Sequence, residues 1–299
     1  MSRTPDGAGV VLAAGDYRLH LDPAGGGAVT GFEWQGAALF HPRRGPGILE
    51  QACFPLVPFS NRIAFGRFSF EGEAIALAPN FPGSDHPHTL HGFGWQAPWR
   101  IAEQDGAACR LIHDHDAGAW PWSYRAEQQL TLSPGGLTHV LRVQNRADRA
   151  MPAGLGLHPY FPRTPRTLLR ARHRGEWQTG DDGLPLSLTR AARDVDWWQG
   201  APVGSRSVDT VYEERSGPIE IVWPDRGITL AIAPSSALRH TVIYCPADAD
   251  FFCVEPVTHA TDALNRMPLT GDVVRLAPGR WLEVGVTYRA MPSPADPGC

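Results

Sequence analysis

Apolar and polar residues alternate with a period of two through much of the chain, the pattern of strands that bury one face. Gly15–Asp22 alternates and runs into Pro-Ala-Gly-Gly-Gly, which predicts a strand and a turn, with Val29–Trp34 returning beside it. Arg67–Leu77 predicts a hairpin turning near Glu71-Gly72. Three more pairs follow: Trp99–Glu103 with Ala108–His113, Tyr124–Leu132 with Leu137–Val143, and Ile219–Trp223 with Ile228–Ala233. His240–Cys245, Phe251–Glu255 and Trp281–Tyr288 complete the series, and helical periodicity is confined to a turn or two at Ala260–Asn265. Many strands with short turns and hardly a helix predict an all-β fold, sandwich or barrel. With no repeat and no linker, a single domain over 1–291 is expected, followed by a loose tail from Pro292.

Two stretches interrupt the pattern. His41–Asn61 contains Pro42, Pro46, Pro55 and Pro58, which argue against helix and predict an irregular segment. Pro79–Pro98 is rich in turn formers, histidines and glycines, and so long a connection in a compact domain is functional or disordered.

One strand stands out. In Gly154-Leu-Gly-Leu-His158-Pro-Tyr-Phe161, Leu155 and Leu157 share one face while Gly154, Gly156, His158 and Tyr160 share the other. Glycines in a strand interior bring nothing to pack, leaving bare backbone beside His158 and room for something flat. Pro159 removes a ladder donor, so the strand is expected to end there. His158 then faces a pocket, or it is a core histidine with small neighbours.

Composition narrows the chemistry. A chain of 299 residues buries about three-quarters of its unfolded surface and needs no staples. Net charge is −4 with no basic stripe, which speaks against nucleic acid as a partner. Every one of the 27 basic residues is arginine. Schiff-base, pyridoxal and P-loop lysine chemistry are therefore excluded. The five cysteines lack a CxxC spacing, so neither a disulfide framework nor a thiolate zinc site is expected. The first residues carry no hydrophobic signal region and no apolar run approaches the ~18 residues of a membrane span. A cytoplasmic protein without membrane contact is the expectation. There is no G-x-S-x-G elbow, and Gly92–Ala97 matches a dinucleotide fingerprint only by chance, because Pro98 follows and no βαβ unit surrounds it.

Several side chains could carry chemistry. Phe251-Phe-Cys-Val-Glu255 reads as a strand buried on both faces that ends in a carboxylate, and desolvation there would raise its pKa and make it a better base near neutrality. An edge carboxylate in a salt bridge is the plain alternative. Asn61-Arg62 and His91-Gly-Phe offer donors to sugar or carboxylate oxygens, and Asp209 is a lone acid between β-formers. His86-Pro-His88-Thr-Leu-His91 and His113-Asp-His115-Asp116 carry metal-ligand residue types. The former lacks the i, i+4 pairing, and the Asp-rich end of the latter reads as a solvated turn. No metal is expected.

Taken together, four segments in order resemble the aldose 1-epimerase (galactose mutarotase-like) family. They are Asn61-Arg62-Ile-Ala with Gly66-Arg-Phe, Leu90-His91-Gly-Phe-Gly with Trp99, Gly156-Leu-His158-Pro-Tyr160-Phe, and Glu255-Pro-Val-Thr258 with Ala263-Leu-Asn265. The resemblance implies a large antiparallel β-sandwich with a sugar cleft and interconversion of the α and β anomers of an aldose. It implies Glu255 as catalytic base, His158 as general acid, and Asn61, Arg62, His91, Tyr160 and Asp209 as substrate-binding residues. It implies a monosaccharide substrate, no cofactor, and a monomer or homodimer. The His-Gly-Phe-Gly-Trp segment departs from the galactose-type pattern, so the aldose is open. Alternatives are a hexose-6-phosphate mutarotase, with Arg67 a candidate phosphate ligand, and a carbohydrate-binding protein without turnover. Negative charge near His158, from Glu255 itself, is expected to raise its pKa, and Trp95 or Tyr160 is expected to stack on the sugar.

Overall fold

The alternating strands fold into two antiparallel sheets packed face to face in the computed structural model, which describes residues 9–84, 86–190, 196–270 and 272–293, of which 267–270 by backbone alone. The larger sheet has 11 strands, running in space from Val10–Ala14 through Tyr17–Asp22, Ala28–Trp34, Cys53–Leu56, Gly156–Pro162, Phe251–Val257, His240–Cys245, Val208–Glu213 and Gly175–Thr179 to Pro185–Thr189. The short strand Ala37–Ala38 pairs beside Ala28–Trp34. The other sheet has nine strands and is built on the long meander Ala108–His115, Tyr124–Ser133 and Gly136–Asn145, which continues into Trp281–Pro292 and Ile228–Pro234.

The period-two pattern explains the core. Leu155, just before the strand, Leu157 and Phe161 of the larger sheet and Leu141, Leu230 and Val286 of the smaller sheet are all buried in one continuous apolar layer. Edge-on contacts of Tyr288 with Phe32 and Phe40 join the two sheets, with ring centroids 6.3 and 5.1 Å apart. The larger sheet has a further apolar cluster on its other face, where Phe54, Trp95, Tyr160, Val242 and Cys253 pack together. That outer face is covered by loops instead of a sheet, so a pocket can open there.

Several elements differ from the sequence reading. Gly156–Pro162 does not stop at Pro159: Tyr160 pairs with Cys253 and its N–H donates to Ala52 O at 2.9 Å. The ladder to Phe251–Val257 jumps from Gly156↔Val257 to Tyr160↔Cys253, and Pro159, paired with Cys53 on the other side, lies in that gap. Cys53–Leu56 is a central strand in the stretch read as irregular, because Pro55 sits within it opposite Leu157. Leu168–Arg172, Gly175–Thr179 and Pro185–Thr189 were not anticipated from a segment dense in charge and proline. The helix is Ala263–Thr270, longer and later than the turn expected. The last strand runs through Pro292, into the stretch read as tail, and 294–299 lie outside the described residues.

Candidate active site

The site lies at the middle of the larger sheet, on its outer face. His158 pairs across Phe54 on one side, while the register Gly156↔Val257 and Tyr160↔Cys253 brings Glu255 level with it on the other. His158 Nε2 is 3.2 Å from Glu255 Oε1, and both side chains are more than nine-tenths buried. His158 Nδ1 and Glu255 Oε2 have no hydrogen-bond partner among the described residues. The imidazole is held flat between Phe54, stacked at 4.5 Å, and Tyr160, stacked at 4.9 Å.

A cavity of about 270 Å³ opens over this pair. That is at the small end for ligand pockets and suits one sugar ring. His158, Glu255, Arg62, His91, Asp209, Tyr160 and Asn61, the seven residues named from the sequence, all line it. Arg44, Tyr244 and Phe251 also line it and went unnamed. Tyr244 is directly opposite Asp209 in the ladder, so the alternation of His240–Cys245 carried its signal. Arg44, from the proline-rich loop, carried none; its guanidinium lies over the Phe251 ring, 4.3 Å from the centroid, and donates to Leu49 O.

The walls are set by local backbone. Asn61 and His91 both adopt left-handed φ values, 55° and 60°. Non-glycine residues hold that conformation only where neighbours over-determine it. Here the two residues bind each other: His91 N–H donates to Asn61 O at 3.0 Å, and Asn61 N–H donates to His91 Nδ1 at 3.1 Å. Since Nδ1 accepts, the ring proton is on Nε2. Burial also keeps this ring neutral, with its pKa well below the usual value. His91 is thus a fixed neutral donor. Gly92 is required beside it, because a Cβ there would lie 2.1 Å from Val57 O.

Arg62 is held as tightly. It accepts Asp262 N–H at its carbonyl, and its guanidinium donates to Asn61 Oδ1 at 3.1 Å and Asp209 Oδ2 at 3.1 Å. Asp262 in turn accepts from Ala64 N–H and Asn265 Nδ2, so the Glu255-to-Asn265 segment supports the Asn61-Arg62 loop from beneath.

The electrostatics correct one expectation. Glu255 is pushed well above the usual carboxylate range, first by desolvation and then by Asp209, with Arg62 opposing. His158 is not raised: burial lowers it to about 3. Removing water costs both charged forms more than their mutual attraction returns. The pair is best described as two sites sharing one proton.

Other expectations also change. The flat object over the bare backbone belongs to the protein: a Cβ on Gly154 would lie 2.1 Å from the His259 ring, and one on Gly156 would meet Val257. Trp95 is fully buried behind Phe54, ring centroids 5.4 Å apart, and cannot reach a ligand face. Arg67 lines a different, larger groove of about 730 Å³ with Phe70 and Arg275. The histidine-rich loops form no three-ligand cluster among the described residues. His88 Nδ1 instead accepts from Phe65 N–H, and His115 stacks on Tyr124 and Phe93. Cys53, Cys109, Cys245 and Cys253 are free and buried.

The profile of the family described as aldose 1-epimerase matches residues 23–289. The chain belongs to the aldose 1-epimerase family. The uncharacterized protein YphB of Escherichia coli (strain K12) is 33% identical over 278 residues, covering 90% of this chain and 93% of its own. A crystal structure of a candidate aldose 1-epimerase from Escherichia coli K12 superposes with a TM-score of 0.89 at 28% identity, over 95% of this chain and 99% of that one. A galactose mutarotase-like protein from Clostridium acetobutylicum shares the fold, with a TM-score of 0.85 at 16% identity over 96% of each chain. Within this aldose 1-epimerase family member, the matched span contains every residue that lines the cavity.

Proposed function

We propose that this chain is an aldose 1-epimerase that interconverts the α and β anomers of a free monosaccharide by acid–base ring opening and closure. The observation that carries the reading is the 3.2 Å approach of His158 Nε2 and Glu255 Oε1 at the floor of a cavity sized for one sugar ring. Glu255 takes the proton from the C1 hydroxyl while His158 delivers one to the ring oxygen. The C1–O5 bond breaks, the C1 aldehyde turns about C1–C2, and O5 re-attacks the other face as both protons return. Each transfer of this kind contributes typically ~10²–10⁴-fold. The reactive form is the ionised arrangement of the shared proton, with Glu255 unprotonated and His158 protonated. Sugar hydroxyls entering the cavity favour it over the neutral arrangement by solvating both charges. His91 Nε2–H, Asp209 and the Arg62 guanidinium surround the ring as donors and acceptors, and Tyr160 and Phe251 offer apolar faces.

A free sugar is favoured over a phosphorylated one because the two arginines at the cavity are already engaged, Arg62 by Asp209 and Arg44 by Leu49 O. The test is anomer exchange by polarimetry or NMR on freshly dissolved α-anomers of glucose, galactose and their 6-phosphates. Acceleration of the free sugars, lost in Glu255→Gln and in His158→Asn, is the expected result. Sugar binding without acceleration would make the chain a carbohydrate-binding protein, and acceleration confined to the 6-phosphates would overturn the substrate class.

A further inference from the structure

Another group of ligand-type side chains lies on the same face of the larger sheet, away from the cavity. His240 starts the strand His240–Cys245 opposite Val257, and the register Tyr212↔Thr241 carries Glu213 to its side. Asp272 arrives from the segment after the helix Ala263–Thr270. One ring nitrogen of His240 and one carboxylate oxygen from each of Glu213 and Asp272 lie within 4.8 Å of one another. Glu213 and His240 are buried, and the Asp272 side chain is 5% exposed.

The geometry within the group is that of side chains aimed at a common point. His240 Nε2 is 3.2 Å from Asp272 Oδ2 without forming a hydrogen bond, and neither ring nitrogen has a hydrogen-bond partner among the described residues. Further contacts hold the carboxylates. Trp177 Nε1–H donates to Glu213 Oε1 at 2.6 Å, and Arg239 stands 3.8 Å from Asp272 Oδ1. Arg190 is bonded to Glu214 and reaches Glu213 Oε2 only at 3.9 Å. His173 and His259 also face His240, but neither converges with the three: His173 bonds Thr241 Oγ1, and His259 uses Nε2 for Ser60 N–H and Nδ1 for Ala260 O.

We propose that Glu213, His240 and Asp272 form a site for a divalent first-row transition ion such as Zn²⁺. One imidazole nitrogen and two carboxylate oxygens suit such ions, and at bond lengths of roughly 2.0–2.2 Å small side-chain movements bring the three donors onto one centre. Donors to the outer carboxylate oxygens, such as Trp177, are the support that metal-binding carboxylates usually have. The ion joins two strands of the sheet to the segment ending at Asp272, which also carries Asp262 beneath the Arg62 loop. It is a structural clamp, independent of the reaction proposed above.

The test uses the whole chain, stripped with chelator and then dialysed against Zn²⁺, Mn²⁺ or Co²⁺, with bound metal measured by mass spectrometry and melting followed in parallel. The expected result is about one equivalent of bound ion, a melting temperature that rises with its concentration, and at least about tenfold weaker binding in Glu213→Gln and Asp272→Asn. Co²⁺ is expected to show ligand-field bands without thiolate charge transfer. Failure of the wild-type chain to retain an ion, or unchanged affinity in both variants, overturns the site. So does a Co²⁺–thiolate band that vanishes in Cys253→Ala, because His158, Cys253 and Glu255 form a second convergent group among the described residues and would then hold the ion. If the variants fail to fold, the wild-type stoichiometry and the Co²⁺ spectrum decide the question.

Discussion

Two histidine–carboxylate pairs sit on one face of one sheet with the same 3.2 Å separation, and we propose different work for them. His158–Glu255 opens onto a cavity, its imidazole sandwiched by aromatic rings, with Asp209 and Arg62 acting on Glu255 in opposite directions. His240–Asp272 is itself buried, with side chains 2% and 5% exposed, and has another carboxylate, Trp177 and outlying arginines around it. Pair geometry alone therefore does not separate chemistry from anchoring. What separates them is whether the space where both groups point is left for a small molecule or covered by the chain.

The comparison breaks first at Glu255. Glu255→Gln is expected to lower the anomer-exchange rate by about 10³-fold. The same variant should melt at a higher temperature than wild type in alkaline buffer, with the difference vanishing in acid. The sign follows from burial. A carboxyl whose folded pKa is raised contributes stability that is present below its unfolded value and lost as pH climbs through the folded one. A variant melting no higher at alkaline pH would mean that Glu255 is not held neutral by desolvation.

Asp272→Asn should do the reverse, costing about 3 kcal/mol in urea unfolding because it strands a buried partner, while the turnover rate stays within about threefold. A turnover loss as large as that of Glu255→Gln would erase the distinction between the two pairs. Asp209→Ala removes the acceptor that aligns Arg62 and should raise KM roughly tenfold with kcat little changed.

Acid stability gives a further check. Burial lowers His139, His158 and His173 to about 3 and His259 to about 4, so the unfolded chain takes up protons that the folded chain refuses below about pH 6.5. Stability should fall as pH drops through that range, by at most about 1.4 kcal/mol per pH unit for each histidine. His158→Asn should shallow the slope by one such share. An unchanged slope would mean that His158 is protonated in the fold, as the sequence alone suggested. The smallest effect is expected for Tyr160→Phe, since the ring and not the hydroxyl packs His158: exchange should stay within about threefold.

Much of this was legible beforehand because strand alternation and short family-like segments are local signals. Leu155 and Leu157 announced the core face and His158 the outer one, and the hairpin at Glu71-Gly72 follows from its turn residues. The strand Cys53–Leu56 was hidden by Pro55, which sits within the ladder opposite Leu157. Arg44 and Phe251 reach the cavity through a cation–ring contact between segments about two hundred positions apart, which no spacing encodes. Asp272 was equally silent, since its meaning lies in meeting His240.

By itself, the order of residues determined an all-β chain, which face of each strong strand is apolar, and a chemistry that cannot use lysine. Only the tertiary structure decided which way burial pushes the pKa values of His158 and Glu255, because desolvation depends on how many neighbours exclude water and not on which residue is adjacent in the chain. It also decided which of two equally spaced histidine–carboxylate pairs faces open space, because that depends on where the covering loops end.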